Sequence, residues 1–233
     1  MRVEIWSDLV CPWCYIGKRR FEKALAAFPH RADVEVVHRS FQLDPSAPAG
    51  ETRDQADMLA EKFGLTRERA EAMNREMEAR AAQDGLEYNL AGGLSGNTAD
   101  AHRLVHLARE SGRADDVVEA LYKAHFTDRR SIFDTDSLVE VAAEAGLDAD
   151  AARATLESGA HADAVRADHA EAQRLGATGV PFFVVDGRYG VSGAQPVELF
   201  TQVLERAWDD ARPQLVTGPG EVCDDGTCAV PEA

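Results

Sequence analysis

The chain has 233 residues, 45% hydrophobic and 28% charged, the make-up of a soluble globular protein with ample core for one large domain or two modest ones. Acidic side chains outnumber basic ones 41 to 25, and the resulting formal net charge of -16 excludes phosphate backbones and anionic lipid surfaces as partners. No apolar run approaches the roughly 20 residues needed to span a bilayer. At the N-terminus, MRVEIWSDLV carries Glu4 and Asp8 where a secretory leader would be basic and then apolar. The stretch reads as a strand, and the expected location is the cytoplasm.

Val3 and Ile5 alternate with polar neighbours until Ser7-Asp8 breaks the run, which predicts a first strand. From Pro12 the period changes. Gly17, Phe21, Leu25 and Phe28 recur at helical spacing, Pro12 suits the first turn, and Pro29 ends the helix. VEVVHRSFQL from Val34 is a second strand, closed by Asp44-Pro45. Residues 46–175 are then Ala-, Glu- and Arg-rich with hardly any strand pattern, a helical block. Thr66 is an N-cap for a helix with the stripe Ala70, Met73, Met77 and Ala81. Asn97 is a second cap, ahead of a helix that Gly112 ends. Val117 to Phe126 and Leu138 to Ala143 mark two more, and two Ala-rich helices follow near 149–157 and 161–174. LAGGLSGN, Leu90 to Asn97, is the long loop of the block.

At Gly176 the strand pattern returns. PFFVVDGRYGV is a hairpin around Asp186-Gly187, and Pro196 opens a last helix. The order βαβ, helices, ββα describes one α/β domain, 1–45 and 176–212, interrupted by a helical insertion, 46–175. A Gly-, Pro- and Asp-rich tail, 213–233, completes the chain.

Four cysteines stand as Cys11, Cys14, Cys223 and Cys228. Cys11 falls where the first strand gives way to the first helix. A thiolate there faces unpaired N–H groups and the positive end of the helix dipole, which predicts a pKa below the free value of about 8.5. Cys14 lies one turn on along the same face and can close a ring onto Cys11, the arrangement of a dithiol reagent. A zinc knuckle needs a second ligand pair, and the other cysteines are over two hundred residues away, so no metal or cofactor is called for. Val180-Pro181 opens a strand, where a proline is tolerated and a cis bond is invited.

Together these segments resemble the DsbA-like branch of the thioredoxin superfamily, of the cytosolic FrnE type. The matching stretches are SDLVCPWCYIGKRRFE at 7–22, FQLDP at 41–45, GNTADAHRL at 96–104 and GATGVPFFVVDGRYGVSGAQP at 176–196. The resemblance implies a thioredoxin-like fold with a large all-helical insertion, acting as a thiol–disulfide oxidoreductase or isomerase. Cys11 would be the exposed nucleophile, Cys14 the resolving thiol and Pro181 a cis-proline facing them. It puts Pro12, Trp13, Val180, Asn97 and His102 on the substrate side. Partners would be proteins or small molecules bearing thiols or disulfides, and an alanine-rich insertion face permits a homodimer. FrnE-type proteins also carry a distal Cys-x4-Cys, which CDDGTC at Cys223 to Cys228 matches as a second redox pair. A stable bridge, or a pair that oxidises on exposure, fits the same six residues.

The glutathione-dependent isomerases of 2-hydroxychromene-2-carboxylate and the kappa-class transferases share the insertion and resemble this chain at Asn97-Thr98 and Val180-Pro181. They typically place serine at the first active position, where this chain has Cys11. A polypeptide-binding, chaperone-like role is the other reading. His102 and His106, four apart on one helix, lack a third ligand, so His102 is expected to pack and His106 to be partly solvated. Met73 and Met77 suit core or groove, and Asp8 either a turn or proton traffic with Cys11.

Overall fold

The structure is a computed structural model, and it describes residues 1–211. Cys223 and Cys228 lie outside them. Strand β1 (Arg2–Ser7) runs parallel to β2 (Glu35–Ser40), and helix α1 (Pro12–Ala27) crosses over between them. β5 (Phe182–Val185) pairs antiparallel to β1, and β6 (Tyr189–Ser192) antiparallel to β5, giving the order β2-β1-β5-β6. Asp186 and Gly187, both at positive φ (50° and 65°), turn the β5–β6 hairpin as the Asp-Gly signal predicts. This is the βαβ…ββα thioredoxin-like arrangement that the sequence predicts.

Both faces of the sheet are covered at its centre, so β5 buries all four of its side chains and β1 four of six, while the edge strand β6 buries only Val191. On one face Val3, Ile5, Phe183 and Val185 meet Phe21 of α1 and Phe200 and Leu204 of α9 (Val197–Ala211). On the other, Trp6, Phe182 and Val184 pack under Ala172 of α8 (Ala162–Arg174), and the Trp6 indole N–H donates to the Asp168 carbonyl at 2.8 Å. A fully buried phenylalanine such as Phe183 contributes roughly 1.5–3 kcal/mol relative to exposure.

Between β2 and β5 run α2 (Gln55–Phe63), α3 (Arg67–Gln83), α4 (Ala99–Glu110), α5 (Ala114–Tyr122), α6 (Thr135–Glu144), α7 (Ala149–Ser158) and α8. Thr66 caps α3 as expected, its hydroxyl accepting from the Arg69 N–H. Three details depart from the sequence reading. The insertion is not wholly helical: β3 (Thr52–Asp54) pairs with β4 (Leu94–Gly96), so the glycine-containing loop supplies a strand. Helix α2, capped by Asp54, was not singled out from the sequence although Ala56, Leu59, Ala60 and Phe63 recur at helical spacing; only Gln55 and Ala56 are buried, and Met58, Leu59 and Phe63 line a cavity rather than a core. The cap of α4 is Thr98 rather than Asn97; the Asn97 side chain accepts from the Ala99 N–H two positions on.

The largest core belongs to the insertion, yet it includes Leu9, Cys11, Cys14, Tyr15 and Ile16. The start of α1 is therefore built into the packing of the helical block.

Candidate active site

β1 ends at Ser7, and a tight turn brings the chain to Cys11, whose N–H donates to the Asp8 carbonyl at 3.1 Å. Cys11 is the N-cap of α1, in extended conformation, with its side chain capping nothing; Pro12 fills the first turn, which holds no acidic residue. The Cys14 N–H then reaches back to the Cys11 carbonyl at 3.0 Å. Both cysteines are free thiols.

Their surroundings differ. Cys14 is 1% exposed and sealed in the core. Burial pushes its pKa well above the ordinary thiol value, and the hydrogen bond and charge of Cys11 push it the same way. Cys11, expected to be exposed, is only 5% exposed, because the loop before β5 closes over it. Its Sγ lies 3.7 Å from the Val180 carbonyl oxygen, to which the thiol donates. The Val180-Pro181 bond is cis, as anticipated. Access to Cys11 runs through a cavity of about 1060 Å³ that it lines together with Asp8, Val10, Pro12 and Trp13.

The far walls of this cavity come from α2, α3 and the β3–β4 ribbon through Met58, Leu59, Met73, Met77 and Leu94, with Leu43 and Leu90 beside them. Met73 and Met77 are thus groove lining. Trp13 sits at the rim, 37% exposed, with the Arg80 guanidinium 5.6 Å from its ring centre. Beneath the cysteines Tyr15 stacks on Tyr122 at 4.8 Å and Tyr88 on Phe126 at 4.7 Å, while the Tyr88 hydroxyl donates to the Pro12 carbonyl at 2.8 Å. Burial raises the pKa of all three tyrosines, so these phenols are neutral hydrogen-bond donors.

Asp8 is buried beside the pair. One carboxylate oxygen accepts from the Leu43 N–H at 2.7 Å, and the other is 3.4 Å from His102 Nε2. His102 therefore stands behind Asp8 and does not line the cavity. His106 is buried as well, not partly solvated, with Nε2 3.1 Å from Asp168 Oδ2 and 3.2 Å from Ser40 Oγ. The two histidines on one helix face serve two different carboxylates. Asn97 is spent on structure: Oδ1 accepts from Ala99 N–H and Gln42 Nε2, and Nδ2 donates to the Ala47 carbonyl at 2.6 Å. It pins the 42–47 segment that forms a cavity wall. Two participants were not singled out from sequence. Gly17 accommodates the Pro181 ring, and His125 faces the cavity. A glycine inside a helical pattern was a signal for the first; a lone histidine between Ala124 and Phe126 carried none.

The sequence matches the family model described as DSBA-like thioredoxin domain over residues 2–205. The crystal structure of a probable DsbA oxidoreductase from Streptomyces coelicolor is 53% identical, with a TM-score of 0.87 and coverage of 100% of both chains. The uncharacterized protein YwbO of Bacillus subtilis is 27% identical over 206 residues, 88% of this chain and 96% of its own. A 2-hydroxychromene-2-carboxylate isomerase superposes with a TM-score of 0.66 at 15% identity, over 90% of this chain and 97% of that one, a likeness of fold alone.

Proposed function

On the premise that this chain belongs to the DSBA-like thioredoxin domain family, we propose that it exchanges disulfides with cysteine-bearing substrates through Cys11 and Cys14. The observation that carries the proposal is the unequal pair: Cys11 opens onto a cavity beside cis-Pro181, and Cys14 is sealed behind it. In the oxidising direction a substrate thiolate attacks Cys11 Sγ. The Cys11–Cys14 bond breaks, a Cys11–substrate bond forms, and Cys14 leaves with the electron pair. Its raised pKa means that it takes up the proton the substrate thiol gave up. A second substrate thiol then attacks the substrate sulfur and releases Cys11. Reduction is the same path reversed.

The proposal extends to the FrnE type, to the cytoplasm, and to Cys223 and Cys228 as a second pair that passes electrons to or from the first. A glutathione-dependent isomerase is the second reading, favoured by the shared fold and by a cavity of small-molecule size. Cys11 at the position where those enzymes typically carry serine argues for exchange. The test is insulin reduction and refolding of a scrambled substrate by wild type, Cys11→Ser and Cys14→Ser. Exchange predicts that Cys11→Ser is inactive in both and that Cys14→Ser accumulates mixed disulfides. Retained turnover by Cys11→Ser would remove the proposal.

A further inference from the structure

His125 lines the cavity wall and has no part in the exchange steps. His125 belongs to a turn of π-helix, Lys123–Thr127, that continues α5 and is closed by the Asp128 N–H to the Lys123 carbonyl at 2.9 Å. Such wide turns are frequent at functional sites. This one is pinned from outside: the Asn89 N–H donates to the Phe126 carbonyl at 2.6 Å and Asn89 Nδ2 to the Thr127 carbonyl at 2.7 Å. The imidazole is held edge-on between Phe126, 4.6 Å away, and Phe133, 5.8 Å away.

The ring is thus fixed, 8% exposed, and lines the same cavity as Cys11. Among the described residues no hydrogen-bond partner reaches its nitrogens. Unlike His38 Nδ1, its nitrogens are not sealed from solvent, so whatever hydrogen-bonds them, water or a ligand, does so from the cavity. Burial pushes its pKa down to about 4, against a smaller opposing effect of Asp8, so the ring is neutral at physiological pH. A neutral imidazole offers one N–H donor and one acceptor, the complement of an amide. The rest of the wall sets what accompanies that amide. It is apolar through Met58, Met73, Met77 and Leu90, and its charged members are Asp8, Asp44, Glu51 and Glu61 against Arg53 and Lys62. Carboxylates outnumber cations in a chain of net charge -16, so a carboxylate-rich thiol meets repulsion there.

We infer that His125 is the specificity residue of this cavity: it reads an uncharged amide beside the sulfur of an apolar cysteine-containing partner, and ranks that partner above carboxylate-bearing thiols such as glutathione. The inference rests on the exchange reading for its chemistry and on the cavity for its selectivity, and the two are separable.

The probes are the capped peptide acetyl-Leu-Cys-Leu-amide, its serine analogue, and glutathione, used with the full chain. Reduction of the oxidised protein by the capped peptide should saturate, and its rate constant should exceed that of glutathione. In His125→Ala the half-saturation concentration should rise by about 3- to 10-fold, the worth of one neutral hydrogen bond, and the preference over glutathione should fall in proportion. His125→Gln, which keeps a donor and an acceptor, should recover most of it. The serine analogue, followed by Trp13 fluorescence or calorimetry, should bind with the same dependence on residue 125. If it does so while no thiol reduces the protein, the exchange reading falls and this one stands. An unchanged preference in His125→Ala, or a serine analogue that wild type does not bind, overturns the inference. Should His125→Ala fail to fold, wild type carries the test: acetyl-Leu-Cys-Leu with a free carboxylate must react more slowly than the amide.

Discussion

Gly17 lies so close to Pro181 that a Cβ on residue 17 would stand 2.8 Å from the proline Cγ. Helix α1 and the cis-proline loop are therefore in register at one point, and Gly17 sets how near the loop comes to Cys11. In Gly17→Ala the helix gains about 1 kcal/mol of propensity, but overpacking against a rigid ring costs about 1–3 kcal/mol. The expected result is a lower melting temperature and slower exchange with every thiol. Thermal unfolding and the rate of reduction by dithiothreitol check it; a faster or unaltered enzyme contradicts it.

The unequal burial of the pair predicts a count. Cys14 is held as a thiol by burial and by Cys11, and thiols do not alkylate. The reduced native protein should take one iodoacetamide at neutral pH among residues 1–211, on Cys11, and the second only after denaturation. Peptide mass mapping reads this directly. Alkylation at Cys14 first would reverse the assignment of roles.

Asp168 clamps α8 to β2. Its carboxylate accepts from Arg39 at 2.9 Å and from the Ser40 N–H at 3.0 Å, with His106 alongside. Burial works against the charge, but these bonds outweigh it and hold the pKa below the usual carboxylate value. A carboxyl depressed in the folded state adds stability above its unfolded pKa of about 3.9, and that stability drains away as pH falls below it. Asp168→Asn should thus lower stability at pH 7 and flatten the acid limb, so that variant and wild type converge once the pH falls below the depressed folded-state pKa. Denaturant unfolding across pH 2–7 tests it; parallel curves would exclude Asp168 from the acid transition. Asp168→Ala, which leaves Arg39 and His106 less paired, should cost about 3–5 kcal/mol at pH 7.

Replacing Cys223 and Cys228 together by serine should slow turnover of insulin while sparing a single turnover of the Cys11–Cys14 pair. Stopped-flow reduction beside steady-state assay separates the two. Equal rates in both would make the second pair a bystander.

The thioredoxin elements were legible because each carries its own punctuation: Ser7-Asp8 and Pro12 bracket Cys11, Pro29 stops α1, and Asp186-Gly187 sets the hairpin. The pair at the head of α1 was legible for the same reason. What escaped was everything decided by packing between distant segments. Cys11 is buried because Val180, 169 residues away, lies against it. His106 is dry because α8 brings Asp168 to it, and the stripe of α2 lines a cavity instead of closing a core. His125 was silent because only the wide turn after α5 aims it at the cavity, and no local pattern announces that turn.

Both sulfurs belong to the core that Leu104, Val105 and Tyr122 build. A core of this kind is a thermodynamic partner of the couple: whatever free energy it gives the dithiol beyond the disulfide appears, through a closed cycle, as oxidising power. For a two-electron couple about 1.4 kcal/mol corresponds to about 30 mV. Trimming Leu104 or Val105, neither of which lines the cavity at Cys11, therefore offers a way to retune the potential from behind, and the helical block acts as the electrochemical ballast of the thiols it encloses.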